Sequence, residues 1–127
     1  MANSIKAARL ELAQLLEAHL AGFDVFPTMS PLDEIQRPTL QMRRTRIAPD
    51  AAAPLARRRH EVELQLILPT ETDDDTLDDT LDDVLDVLHE LRVPWTEANR
   101  RNAGDYPAYA ITITTASTWT RPAPEEE

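Results

Sequence analysis

Residues 57–68, Arg-Arg-Arg-His-Glu-Val-Glu-Leu-Gln-Leu-Ile-Leu, decide the architecture. Val62, Leu64, Leu66 and Leu68 alternate with Glu61, Glu63 and Gln65, the two-residue period of a strand with one buried and one wet face. Residues 39–47 predict a second strand. Residues 48–56, with Pro49 and Pro54, predict a flexible connection. The two strands make a long hairpin. Leu40 and Met42 are expected to share a face with Arg44 and Arg46, so the distal half should project beyond the core. That places Arg43, Arg44, Arg46, Arg57, Arg58 and Arg59 on a tip hanging outside the sheet.

Upstream, Asn3 or Ser4 can cap a helix over residues 5–21 that stops at Gly22. Its apolar stripe is Ile5, Ala8, Leu12, Leu15, Leu16, His19 and Leu20. Residues 23–26 predict a short strand, followed by a proline-interrupted loop to Arg37. Downstream, Thr72 or Asp73 can cap a second helix reaching about Arg92, with Leu77, Leu81, Val84, Leu85, Leu88 and Leu91 on one face. Residues 95–101 predict an edge strand. Asn102-Ala103-Gly104-Asp105 turns it into a closing strand over about 107–119, where Tyr109, Ile111 and Ile113 alternate with Ala110, Thr112 and Thr114. The order α-β-β-β-α-β-β predicts an α+β fold: an antiparallel sheet of four to five strands, two helices packed on one face, and a long protruding hairpin. Residues 1–120 should form one domain and residues 121–127 a disordered acidic tail.

At 127 residues and 42% apolar content, the chain suits one domain with a real core. A net charge of −10 favours solubility and opposes nonspecific attraction to nucleic acid or anionic lipid. The absence of cysteine excludes disulfides, thiolate metal sites and a cysteine nucleophile. Glu11, Gln14 and Glu17 interrupt any signal-peptide core, and no apolar run approaches membrane-spanning length. The expectation is a soluble protein, cytoplasmic when made, with no membrane partner.

Charge is partitioned along the chain. From Glu71 to Glu90 every ionisable side chain except His89 is acidic, and the six hairpin arginines precede it. An acidic face and a basic protrusion on one small chain suit head-to-tail contact between copies. Asp73, Asp74 and Asp75 are consecutive and lack the alternate oxygens, glycine and closing glutamate of a calcium loop. Asp78, Asp82 and Asp86, at i, i+4 spacing, could hold a divalent ion weakly, but with Asp79 and Asp83 they better suit a solvated face offered to a basic partner, and no metal site is expected. His19, His60 and His89 are scattered, and no spacing suggests a catalytic triad. Gly22 and Gly104 are the only glycines, which excludes Walker and dinucleotide loops. No catalytic residue and no cofactor are expected. The arginines could instead grip phosphate as a nucleic-acid finger, although no aromatic interleaves with them for base stacking.

The layout of residues 5–118 resembles the tail terminators, the head-to-tail joining proteins of long-tailed bacteriophages. The resemblance rests on the amphipathic first helix, Gly22-Phe23-Asp24-Val25-Phe26, the proline loop and the strand opening at Pro38-Thr39-Leu40. It continues through the charged hairpin, Val62-Glu-Leu-Gln-Leu-Ile-Leu68, the Thr/Asp-opened leucine helix and the late strand Tyr109-Ala-Ile-Thr-Ile113. Related neck and head-closure proteins share this size and plainness. The resemblance implies a structural virion protein, without enzymatic activity, that forms a ring, usually hexameric. That ring would cap the tail tube protein, end tail polymerisation and meet a head-completion or neck protein. DNA would pass through without sequence-specific binding. The protein would sit at the tail–neck junction of the virion after assembly in the host cytoplasm. A small nucleic-acid-binding protein and a metal-dependent enzyme remain as alternatives from other classes.

Overall fold

The computed structural model describes residues 5–29, 34–49, 51 and 57–118, with side chains as far as residue 115. The candidate cap at Asn3 or Ser4 and the tail at 121–127 lie outside the described residues. The elements run α1 (Ile5–His19), β1 (Asp24–Val25), β2 (Thr39–Pro49), β3 (Arg57–Ile67), α2 (Asp74–Glu90), β4 (Trp95–Ala103) and β5 (Tyr106–Thr118). This is the α+β order read from the sequence. The five strands lie in the order β1-β2-β3-β5-β4.

The sheet is mixed rather than wholly antiparallel. β1 pairs with β2 in parallel, Asp24 opposite Thr39 and Val25 opposite Leu40, while the other three pairings are antiparallel. Residues 26–38 supply the reason, since a connection of that length can return the chain to the end where β1 began.

The alternation in β3 sorts the sheet into two unlike faces. On one, Leu40, Met42, Val62, Leu64, Leu66, Ile111 and Ile113 form a single core with Leu12 and Leu16 of α1 and Leu77, Val84 and Leu88 of α2. Both helices therefore cover the same face. Each fully buried leucine there contributes roughly 2 kcal/mol of apolar burial. The opposite face has no helix layer among the described residues, only a small cluster of Ile35, Ile67 and Ala108 flanked by Ala103 and Tyr106.

The helix ends follow local chemistry. In α1 the buried stripe is Ala8, Leu12, Ala13 and Leu16, rotated toward Ala13. Leu15 and His19, expected inside, are exposed at its rim, and His19 Nδ1 lies 2.8 Å from the Leu15 carbonyl oxygen. At the start of α2, Asp73 is the cap: its Oδ1 accepts from the Thr76 amide at 2.7 Å. A hydrogen bond with the Thr76 side chain, and then this one from its amide, hold the Asp73 carboxyl below the usual range. At the far end Leu91 is the cap. The Arg92 amide donates to the His89 carbonyl and the Val93 amide to that of Leu88. Arg92 occupies the left-handed region at φ 58° that this Schellman closure normally gives to glycine.

Candidate interaction surface

The arginine hairpin is built differently from the expected free tip. The β2–β3 ladder continues to Pro49 opposite Arg58, and β5 accompanies β3 out to Thr118 opposite Arg57. Arg57, Arg58 and Arg59 thus lie within a sheet. β1 reaches only Leu40 and β4 joins at Ile113, so the projecting part is a three-stranded arm. Hydrogen bonding on both sides of β3 stiffens it more than a bare hairpin could.

A bulge redistributes the charges on that arm. The register slips between Arg44 and Arg46, so Arg44 faces Val62 while Arg46 faces Glu61. The extra residue, Thr45, reverses the direction of everything after it. Arg46, expected beside Leu40, Met42 and Arg44, is therefore on the opposite, helix-free face. Arg46 Nη1 donates to Glu61 Oε2 at 3.3 Å, and Arg43 Nε donates to Glu63 Oε2 at 2.9 Å. Arg59, opposite Ala48, shares their face. Arg44 and Arg58 remain on the helix side and flank His60, which is 1% exposed. Burial first, then these two guanidiniums, hold the His60 imidazole below its ordinary value of 6.5.

Glu63 is the anchor of the helix-free face. Its side chain is only 7% exposed, with Arg43 Nη2 at 2.8 Å on Oε2 and Arg101 Nη1 at 3.7 Å on Oε1. One carboxylate thereby links β2, β3 and β4. Two hollows open on this face. One of about 300 Å³ is lined by Arg46, Arg59, Glu61 and Thr114, and one of about 220 Å³ by Gln65, Arg101, Ala108 and Ala110. Alanines at 108 and 110, where strand neighbours carry longer side chains, leave the second hollow open.

The acidic helix points the other way. With Leu77, Leu81, Val84 and Leu88 buried, Asp75, Asp79, Asp86 and Glu90 fall within about 30° of the direction opposite the core at 100° per residue, with Asp82 and Asp83 about 50° off it on either side. All six are exposed. Asp78, further round, and Asp83 each meet another element. Asp78 Oδ1 accepts from the Tyr109 hydroxyl at 3.0 Å, which raises the phenol's pKa above its usual value. Asp83 lies with Asp86 and His19 beside the C-terminus of α1. Asp74, on the inner flank, pairs with Arg100 at 3.1 Å. Tyr109 is opposite Leu66, and Ser117 opposite Arg58. The α2 contact at Tyr109 is thus separated along β5 from Arg58 by roughly 26 Å, and from Arg44, in the row of Val62 and Ile113, by roughly 13 Å.

Among the described residues, no three His, Asp or Glu side chains are placed to hold a metal ion, and no helix is long and apolar enough to cross a membrane. Sequence reading missed Glu61, Glu63, Arg100 and Arg101 as members of these surfaces. The signal for the first two was available: acids at alternate positions facing Arg43 and Arg46 across a hairpin. No family model matches this chain, and no curated protein matches it.

Proposed function

We propose that this protein is a structural subunit that closes into a homo-oligomeric ring, and that it acts as a tail terminator of a long-tailed bacteriophage. In this role a ring, hexameric as the family resemblance implies, caps the tail tube, ends its growth and presents a docking surface to the neck. DNA passes through the lumen without being read. The observation that carries the ring is the separation of unlike charge on one fold: an outward acidic ridge on α2 and a basic, three-stranded arm. Unlike patches that do not face each other within one copy satisfy each other between copies, and a rotation that closes gives a ring. The surfaces are extended, with charge rather than a pocket as their main feature, which suits assembly.

The test is mass and shape in solution and on tails. Light scattering at low and physiological salt, followed by negative-stain imaging, is expected to show closed rings at high protein concentration or on isolated tail tubes. A strict monomer under all of these conditions would refute the reading.

A further inference from the structure

We infer that the acidic ridge of one copy lies along the helix-free face of the sheet of the next copy, between Arg59, Arg46, Arg43 and Arg101. This deepens the ring reading above and rests on it, but it commits to one face of the arm where the ring alone does not.

Three observations select that face. First, the bulge after Arg44 brings Arg46 to the helix-free side beside Arg43 and Arg59, where Arg101 joins them across Glu63. These four guanidiniums stand on that face with three carboxylates, Glu61 in the row of Arg46, and Glu63 and Glu97 in the row of Arg43. Arg44 and Arg58, by contrast, flank the buried His60 on the helix side. Second, the repeats match. Same-face residues on a strand recur about every 6.6 Å, and carboxylates at i, i+4 on a helix about every 6 Å. Asp75, Asp79, Asp82, Asp86 and Glu90 make one such row, with no basic side chain in it. Third, the face is hollowed in two places with an arginine at each, Arg46 and Arg59 at one and Arg101 at the other.

The occupant is a second copy because the complementary row is on this same chain. The ridge cannot reach the helix-free face of its own sheet, since Leu77, Leu81, Val84 and Leu88 fix α2 to the other side. The contact is therefore heterologous, ridge to face, and each copy retains a free ridge and a free face.

Charge reversal on opposite faces of the arm tests this in the full chain. Arg46→Glu with Arg59→Glu is expected to weaken self-association by at least about tenfold. Arg44→Glu with Arg58→Glu is expected to leave it within about twofold. Reversing the ridge, with Asp79→Arg, Asp82→Arg and Asp86→Arg, should also abolish assembly. The decisive sample is a mixture of the face-reversed and ridge-reversed proteins, each checked by circular dichroism for a native melt. Neither assembles alone, but together every contact is complementary, so alternating rings should appear in sedimentation. Normal assembly of the Arg46→Glu, Arg59→Glu protein overturns the inference while leaving the ring reading intact. So does a mixture of folded variants that stays monomeric when the wild type forms rings. Loss of duplex DNA binding by that same variant, with self-association unchanged, also overturns it and makes the face a phosphate-binding surface. A wild type that is monomeric at high concentration and absent from tails removes both.

Discussion

Replacing Arg43 by methionine should destabilise the fold by about 2 kcal/mol, and a second, neutralising change at Glu63 should recover part of that loss. Methionine keeps the aliphatic stem and removes the guanidinium, so lost packing contributes little. The structure gives the asymmetry. Glu63 is 7% exposed, whereas Arg43 is 53% exposed and Arg101 54%. Once Arg43 is gone, the carboxylate keeps only Arg101 at 3.7 Å and has little access to water. Hydrogen bonds to charged groups contribute roughly 1.5–3 kcal/mol each. Two short contacts from one half-exposed guanidinium, discounted for solvent screening, come to about 2 kcal/mol. Glu63→Gln alone leaves two arginines that water can reach and an amide oxygen that can still accept, at a cost of about 0.5–1 kcal/mol.

The double mutant is the sharp test, because an isolated buried carboxylate is worse than a buried amide. Arg43→Met/Glu63→Gln should therefore be at least as stable as Arg43→Met. Urea unfolding at micromolar protein, or thermal melts where 2 kcal/mol corresponds to roughly 8 °C in a domain of this size, would measure it. A cost below about 0.5 kcal/mol for Arg43→Met would refute the reasoning. So would a double mutant clearly less stable than Arg43→Met, meaning that Glu63 is not an anchor dependent on Arg43.

Asp82 has like-charged neighbours at Asp78, Asp79 and Asp86, so Asp82→Lys converts three repulsive helix pairs into attractive ones. It should stabilise by about 1–2 kcal/mol at low salt, with the gain shrinking in high salt on repeated melts. His60 has a folded pKa lowered below 6.5, so the unfolded chain holds more protons as pH falls through that value. Stability should fall on acidification as pH drops through about 6.5, and His60→Gln should flatten that slope in urea titrations at a series of pH values. Arg92 sits at φ 58°, so Arg92→Gly should stabilise by about 0.5–1 kcal/mol while Arg92→Ala should not, as thermal unfolding would report.

The parts of the fold legible in the sequence are those set by period alone. Val62, Leu64, Leu66 and Leu68 recur every second residue, and Leu77, Leu81, Val84 and Leu88 every third or fourth; each pattern admits one buried face. The outward direction of Asp75, Asp79, Asp82 and Asp86 follows from the same arithmetic. What was illegible depends on tertiary contact. Leu15 and His19 match the helical period of α1, yet the stripe rotates toward Ala13 because that is where the helix meets its neighbours. The parallel pairing of β1 depends on where residues 26–38 return the chain, which no local pattern encodes. Arg92 closes α2 in a conformation that sequence preference assigns to glycine, since the Leu88–Val93 hydrogen bond and packing outweigh the local strain.

The bulge at Thr45 is the least legible feature and has the largest effect on the candidate surface. Neither glycine nor proline marks it in Arg44-Thr45-Arg46, and an uninterrupted alternation would put Arg46 with Arg44 over the core. In that register Glu61 and Glu63 would still face away from the helices, but only Arg43 would face them from β2. The extra residue supplies Arg46 to Glu61, and Thr45 Oγ1 donates to the Glu61 carbonyl at 3.2 Å, which ties the bulge down on the partner strand. The arm is thereby sorted by face: Arg44 and Arg58 beside a histidine with little room for charge, Arg43, Arg46 and Arg59 on an open surface. Composition counts six arginines in one hairpin, whereas the ladder divides these five into two environments with different chemistry. A charge census over sequence could therefore locate the basic arm but could not say which side of it meets a partner.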